Sequence, residues 1–397
     1  MVGRTRSRGL SDEREFDLVL QGATGFTGRL AAAELCKRAP QGLRLAISGR
    51  SRERTEALAE RLGLPALVTP GLDADATDDL AARSRVVLSC AGPFSRYGTL
   101  LVDACARHGT HYADLSGELV WIREMIDRHH KTCSDAGVTL IPASGFDSVP
   151  TDLGVQALLS DLGESLPVTG FFAMRGGLNG GTLYSGIALA EEEDPRAPIH
   201  PHLLDPDPEA ALAATPRAIK RPAVFPIPGR GRWSAPFLMA PVNERVVRRS
   251  AALLAEEGAG YGAGFRYDES LLCANRFHAH GMRSLLGIAG QLLASPAGRW
   301  ALGRFGPSPG QGPSARSIEQ GFARLTLVAG ALDAPVATRT FSWRGDPSNA
   351  ITVNCLVQTG LALAAGEARR GGVVTAASAL GSRLLERLAG VQALTWF

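Results

Sequence analysis

Lysine is almost missing from this sequence: of 42 basic residues, only Lys37, Lys131 and Lys220 are not arginine. No Ser-x-x-x-Tyr-x-x-x-Lys arrangement surrounds any of the three, which excludes a short-chain ketoreductase tetrad. Excess charge is also missing. The formal balance is +3, without the concentrated basic footprint of a nucleic-acid binder. No two of the six cysteines form a C-x-x-C pair, so neither a metal site nor a disulfide framework is expected, and a reducing cytoplasm is the default location. No run of about 18 apolar residues occurs, so no segment is expected to span a bilayer. The nearest approach, Ser284 to Ala294, is short and is followed by Arg299 and Arg304. Met1 to Arg14 is polar and lacks the apolar stretch of a secretory signal.

What remains is ordinary globular material, 45% hydrophobic and 20% charged over 397 residues, enough for two or three domains. The first 150 residues alternate strand and helix patterns. Strands are predicted at Phe16 to Gln21, Leu43 to Ser48, Ala66 to Thr69, Val86 to Cys90, His111 to Asp114 and Val138 to Pro142. Helices are predicted from about Thr27 to Arg38, Glu53 to Leu62, Leu100 to His108 and Leu119 to Ala136. Such alternation implies right-handed crossovers and a parallel α/β sheet covered on both faces. Beyond Pro150, strand-like pieces at Val168 to Met174, Ala323 to Gly330 and Val336 to Trp343 flank a proline-, glycine- and arginine-rich middle with poor periodicity. The pattern turns helical again from Asn349, with a last helix over about Val374 to Leu388.

Gly22-Ala23-Thr24-Gly25-Phe26-Thr27-Gly28 lies between a predicted strand and a predicted helix. In that context three glycines at this spacing permit a tight turn, close approach of a pyrophosphate, and close helix–sheet packing. The free amides at the helix N-terminus would hold the phosphate charge. At the tip of the second strand stands Ser48-Gly49-Arg50-Ser51 in place of the carboxylate that receives an NAD ribose. A guanidinium and a hydroxyl suit a 2′-phosphate, so NADPH is the expected cofactor, with Arg50 and Ser51 on that phosphate. Asp73, after the third strand, either caps the adenine edge or is a surface residue. Cys90, Ala91, Gly92, Pro93 and Phe94 follow the fourth strand and leave room for the ribose and nicotinamide. Ser116 and Gly117, with Asp114 and Glu118, occupy the same edge after the fifth. Gly145-Phe146-Asp147-Ser148 follows the sixth; Asp147 or Ser148 either faces the ligand or caps the next helix.

Four blocks, GATGFTGR (22–29), AGPFxxYG (91–98), HYADLSGE (111–118) and GFDSVPTDLG (145–154), occur in an order and spacing that resembles the saccharopine dehydrogenase-like oxidoreductases, nearest to the mycobacterial trans-acting enoyl reductases. Weaker matches follow at Gly180-Gly181-Thr182 with Ser185, at 310–314, at Gly345-Asp346-Pro347 and at 371–375. The resemblance implies a Rossmann-type NADP-binding domain over residues 1–150, an inserted α+β substrate and dimerisation domain over 151–345, and a C-terminal helical segment, 346–397, packing back on the first domain. It also implies a homodimer, and NADPH-dependent enoyl reduction on an acyl or polyketide-derived substrate, with an acyl carrier protein or polyketide synthase as partner. The alternatives are saccharopine-type C=N chemistry on an amino-acid-like substrate, which calls for clustered arginines in the cleft, and a non-catalytic nucleotide-binding protein on lipid surfaces. The chain departs from the family at Ser348, Asn349 and Asn354, where polar residues stand in and beside an aromatic position.

Enoyl reduction needs a hydride donor, a dry channel and a proton source. Tyr97, Tyr184 and Ser116 are the candidate catalytic groups, with Asp147 and Thr182 as further polar residues at the nicotinamide end. Arg217, Lys220, Arg221, Arg230 and Arg232 form a stretch that is either a solvated loop or a dock for an acidic carrier or lipid headgroups. Leu285 to Leu293 reads first as a core helix, with an acyl channel or a membrane contact as alternatives.

Overall fold

Six apolar-rich residues, all buried, make the first strand, β1 (Phe16–Gln21). Leu18 and Leu20 point into one core and Val19 into another, as a strand covered on both faces requires. The structure, a computed structural model, describes residues 14–70, 73–192, 200–214, 221–391 and 395–396. The expectation for the polar N-terminal stretch therefore falls outside the described residues up to position 13. After β1 come β2 (Leu45–Gly49), β3 (Ala66–Val68), β4 (Ser84–Ser89), β5 (His111–Asp114) and β6 (Thr139–Ile141). They pair in parallel in the order β3-β2-β1-β4-β5-β6, so the order reverses between β1 and β4. A ligand crevice opens at that reversal, beyond the carboxyl ends of the strands.

The chain then crosses, through a buried helix Val149–Leu162, to a second sheet. Its strands are β7 (Pro167–Arg175), β8 (Phe225–Ile227), β9 (Arg232–Ala235), β10 (Arg266–Cys273), β11 (Phe322–Gly330) and β12 (Pro335–Arg344). This sheet is mixed: β7 pairs in parallel with β10 and antiparallel with β11. The poorly periodic middle of the sequence thus holds two short strands, a helix Ala240–Ala255, β10, and a helical hairpin Arg276–Ala294 and Pro296–Phe305.

The C-terminal return is more than helical. Thr352–Ala364 is buried on nearly every side, against β4, β5 and the helix Phe26–Arg38. Gly360 makes that approach feasible, since a Cβ there would stand 2.6 Å from the Leu88 side chain. A strand absent from the sequence reading, β13 (Gly372–Val373), extends the first sheet beside β6. The expected helix 374–388 breaks at Gly381, which adopts φ +55°, leaving Ala376–Ala379 and Ser382–Val391. The chain ends as β14 (Thr395–Trp396) on β12 of the second sheet.

Candidate active site

The turn after β1 is built around absent side chains. Gly22 has φ +78°, and a Cβ there would press on the backbone of Cys90 and Ala91 at 3.0 Å. A Cβ on Gly28 would lie 2.1 Å from the Gly22 carbonyl oxygen, so the helix Phe26–Arg38 seats against the turn only with glycine there. Gly25 is different: a Cβ there would meet only the Gly22 oxygen, at 3.4 Å. That position is the open side. Gly25 is also the helix N-cap, without a side-chain cap or an acid in the first turn, so the helix start presents uncompensated donors to the crevice. The residues fit a dinucleotide diphosphate. Thr24 supports the turn through its carbonyl, which accepts from Arg29 (2.8 Å) and Arg54 (3.3 Å). Phe26 and Thr27 are half-buried beside it.

At the tip of β2, Arg50 is exposed and has no ion-pair partner among the described residues. Its guanidinium lies 5.4 Å from the ring centre of Tyr97. Gly49 admits Thr55 and Thr24 close to the backbone. Ser51 caps the next helix, accepting from the Arg54 amide. Ser48 requires a correction: it is fully buried, and its hydroxyl meets Thr69 Oγ1 at 3.2 Å, so it underpins the site without facing a ligand. Asp73 is exposed and caps the helix Ala74–Arg83, its Oδ1 accepting the Ala76 amide at 2.8 Å.

After β4, the Cys90 amide donates to Gln21 (2.9 Å), and burial followed by the Asp114 charge pushes the thiol up to about 12. Ala91 and Gly92 line the edge, with Ser185 of the second domain 3.2 Å from where a Gly92 Cβ would stand. Pro93 starts a short helical turn. The Phe94 ring does not face the crevice: it is buried against Trp121, centroids 5.8 Å apart, and its amide donates to Glu118 (2.9 Å).

Ser116 is buried, and its hydroxyl donates to Asp114 at 2.6 Å, so its proton is committed. Tyr97 is exposed and stands beside Arg50 at the tip of β2. Tyr184 is partly exposed on the helix Gly180–Glu192, the helix that carries Ser185 across the crevice edge. Gly117 remains open, with only Met239 near a built Cβ. Ser148 makes no cap bond; its hydroxyl meets Asn243 Oδ1 at 3.2 Å.

Asp114 and Glu118, placed at this edge by the sequence, hold it in shape. Asp114 is fully buried and accepts from Tyr112, Ser116 and the Ala143 amide; burial still pushes its carboxyl up to about 6. Glu118, also buried and raised by burial, takes the Phe94 and Gly117 amides, clamping the β4 and β5 loops together. Asp147 has no hydrogen-bond partner among the described residues, and burial pushes it up to about 6. From the second domain, a Gly312 Cβ would meet the Phe26 ring at 2.5 Å, and Arg29 donates to the Gly310 carbonyl (3.2 Å). This loop therefore lies on the phosphate turn. The signal was the glycine-rich stretch 310–314, whose Gly310 meets Arg29 across 281 residues of chain. Of the basic stretch, Arg217 and Lys220 lie outside the described residues; Arg221 pairs with Asp268 (3.0 Å), and Arg230 donates to Thr338 (3.0 Å). Among the described residues, no helix is long and apolar enough to cross a membrane.

Residues 18–141 match the family described as the saccharopine dehydrogenase NADP binding domain. A trans-acting enoyl reductase of Mycobacterium tuberculosis is 37% identical over 415 residues, covering 95% of this chain and 96% of that one. A protein of the same name from Mycobacterium ulcerans is 35% identical over 409 residues, with the same coverage. Saccharopine dehydrogenase (L-Glu forming) from Saccharomyces cerevisiae shares the fold, with a TM-score of 0.53 at 14% identity over 96% of this chain and 99% of that one. With relatives aligned end to end and a glycine turn shaped for a diphosphate, the chain belongs to the trans-acting enoyl reductases, within the saccharopine dehydrogenase-like, NADPH-dependent oxidoreductases.

Proposed function

We propose that the protein reduces the C=C bond of an α,β-unsaturated acyl group, carried as a lipid or polyketide intermediate. Apart from kinship, one observation carries this reading: the segments bordering the nicotinamide end contain no cation. Residues 90–94, 115–118, 142–148 and 176–190 hold neither Lys nor Arg, and their only carboxylates are Glu118 and Asp147. A dicarboxylate amino acid would meet like charge and apolar surface there, without the arginine forks that recognise it. An acyl chain would meet Leu178 and Tyr184 of the covering segment, both of them exposed. That disfavours the C=N reading.

The cofactor, when bound, supplies the hydride. The chain's own task is then to exclude water, hold the thioester, and deliver a proton. Asp147 is the group we assign to the proton. It sits on the β6 loop at the crevice edge, unpaired, and with a pKa of about 6 a fraction of it stays protonated near neutrality. Tyr184 is the second proton-bearing side chain at that end, whereas Tyr97 serves the adenosine end with Arg50. Cys90, Ala91, Gly92, Pro93 and Gly117 form the backbone floor. Following the relatives' designation as trans-acting, the acyl chain would arrive on a carrier protein of a separate polyketide or fatty-acid synthase.

NADPH oxidation with a 2-enoyl thioester tests both halves. Asp147→Asn should cut turnover by about a hundredfold or more while leaving NADPH affinity intact. An acid catalyst must be protonated, so the wild-type rate should fall as pH rises above about 6. Full activity in Asp147→Asn would remove the residue's role. Turnover of an imine but not of the enoyl thioester would replace the reaction itself.

A further inference from the structure

The helical hairpin of the second domain is almost entirely uncovered. Of Arg276–Ala294 only Ala279 is buried, and of Pro296–Phe305 only Gly298. Phe277 (86% exposed), Leu285 (58%), Ile288 (56%) and Leu292 follow one another at steps of eight, three and four, which places them on one stripe of the first helix. Trp300 (67%) and Phe305 (79%) continue it on the second, their rings edge to face at 6.2 Å. The stripe runs about 22 Å along the first helix. Large apolar side chains this exposed and this contiguous mark a contact surface.

The charge along the hairpin has one sign. Arg276, Arg283, Arg299, Arg304 and Arg316 lie between positions 276 and 316, and no Asp or Glu occurs in that interval. No carboxylate pairs with Arg276, Arg283 or Arg304 among the described residues; the Arg304 guanidinium rests over the Phe305 ring at 5.8 Å. A second copy of this chain is a poor occupant, because a twofold contact would oppose the two arginine sets. Aromatic and aliphatic side chains along an uncovered hairpin that carries arginine and no acid suit an anionic bilayer surface.

We propose that the hairpin 276–305 docks the protein on an anionic lipid surface, burying Phe277, Leu285, Ile288, Trp300 and Phe305 at the level of the headgroups. The position of the hairpin gives docking a use. It supports the helix Gly180–Glu192, with Leu183 packed against Gly306 and Ile187 near Gly303. Ser185 of that helix borders Gly92 at the crevice edge. A docked hairpin therefore puts the covering helix between bilayer and crevice, where an acyl chain passing from lipid to the site would travel. The docking claim rests on the hairpin alone; only its purpose depends on the acyl substrate proposed above.

Sedimentation with vesicles tests it. The wild-type chain should pellet with vesicles of equal parts phosphatidylglycerol and phosphatidylcholine, and weakly with phosphatidylcholine alone. F277E, W300E and F305E together should lower the bound fraction by about tenfold or more. Replacing Arg276, Arg283 and Arg304 by Gln should cost about fivefold for each charge removed and abolish the preference for anionic vesicles. NADPH titration of the same variants reports whether the fold survives, and the arginine set remains informative if the glutamate set does not fold. A wild-type chain that stays in the supernatant with both vesicles overturns the proposal. So does a dimer, seen by light scattering, that the glutamate substitutions split. Failure here with normal enoyl turnover leaves the reaction untouched, and the reverse outcome separates the two claims equally well.

Discussion

A guanidinium and a carboxylate at the tip of β2 ask for different nucleotides, and this chain has placed Arg50 there with no acid to neutralise it. Tyr97 gives the guanidinium an aromatic rest, worth about 0.5–1 kcal/mol at an exposed site, which pre-orients it for an incoming phosphate. Charge-assisted bonds of this kind contribute about 1.5–3 kcal/mol. Arg50→Ala should therefore weaken NADPH by about ten- to a hundredfold and NADH by less than about twofold, read from fluorescence titrations. Equal losses would mean that Arg50 touches no 2′-phosphate. At this scale the sequence was legible wherever the chemistry is local to the backbone. Gly25 and Gly28 declare themselves because the atoms they must clear, in Gly22 and Ala23, are within a few residues. Ser116, Ser48 and Phe94 are less legible because the direction of a side chain is settled by its hydrogen-bond and packing partners: Asp114, two residues away, with the distant Ala143 amide, then Thr69, and Trp121.

Among the elements, periodicity identified every strand of the first sheet except β13, whose two residues are too few to show a pattern. The helix Ala74–Arg83 went unread because its sequence, ADATDDLAAR, offers one leucine and small alanines as its apolar face. The hairpin was misread in the opposite sense. Its hydrophobicity suggested a core helix, but hydrophobicity does not say what covers a face. Helix Val149–Leu162 shows how elements are tied together from within. Asp152 is fully buried; its carboxylate accepts from Ser250 of the helix Ala240–Ala255 and from the Ala377 amide (2.8 Å), so one side chain joins three helices. Burial pushes its pKa up to about 7, against an ordinary value of about 3.9 for an unfolded chain. A folded-state pKa raised in this way contributes stability that is complete below about pH 4 and is lost as pH rises through about 7. Asp152→Asn removes the titration and one of the acceptors. The wild type should exceed the variant by about 1–3 kcal/mol at pH 5, and the gap should shrink by pH 8, measured from urea midpoints. A gap that widens with pH would mean that the folded pKa is not raised.

For the molecule as a whole, the question is how a sheet that binds no nucleotide controls the crevice of the one that does. The buried polar residues Asp346 and Asn349 answer it. Asn349 is fully buried; its side-chain amide donates to Asp346 (2.8 Å) and to the Gly177 carbonyl (3.2 Å) and accepts from Asn179 (3.0 Å). Asp346 in turn accepts the Gly177 amide. This knot ties the end of β12 to the loop after β7, and Asn179 also takes the Thr182 amide at the start of the covering helix. The far end of that helix is held by Arg96, which pairs with Glu191 (2.9 Å) and Glu192 (2.7 Å). One anchor is buried and the other exposed, so the buried one dominates, since exposed ion pairs contribute little. Asn349→Ala leaves Asn179 and Gly177 unsatisfied, at about 1–3 kcal/mol for each orphaned group, and frees the helix at its buried end. NADPH affinity should stay within about twofold, because the knot touches no residue of the phosphate turn, while KM for the acyl substrate rises by about tenfold. Amide exchange should speed up across 176–192 and stay unchanged in β1 and β4. Exchange that rises equally in both sheets would mean that Asn349 serves global stability, and the covering helix would then need another anchor.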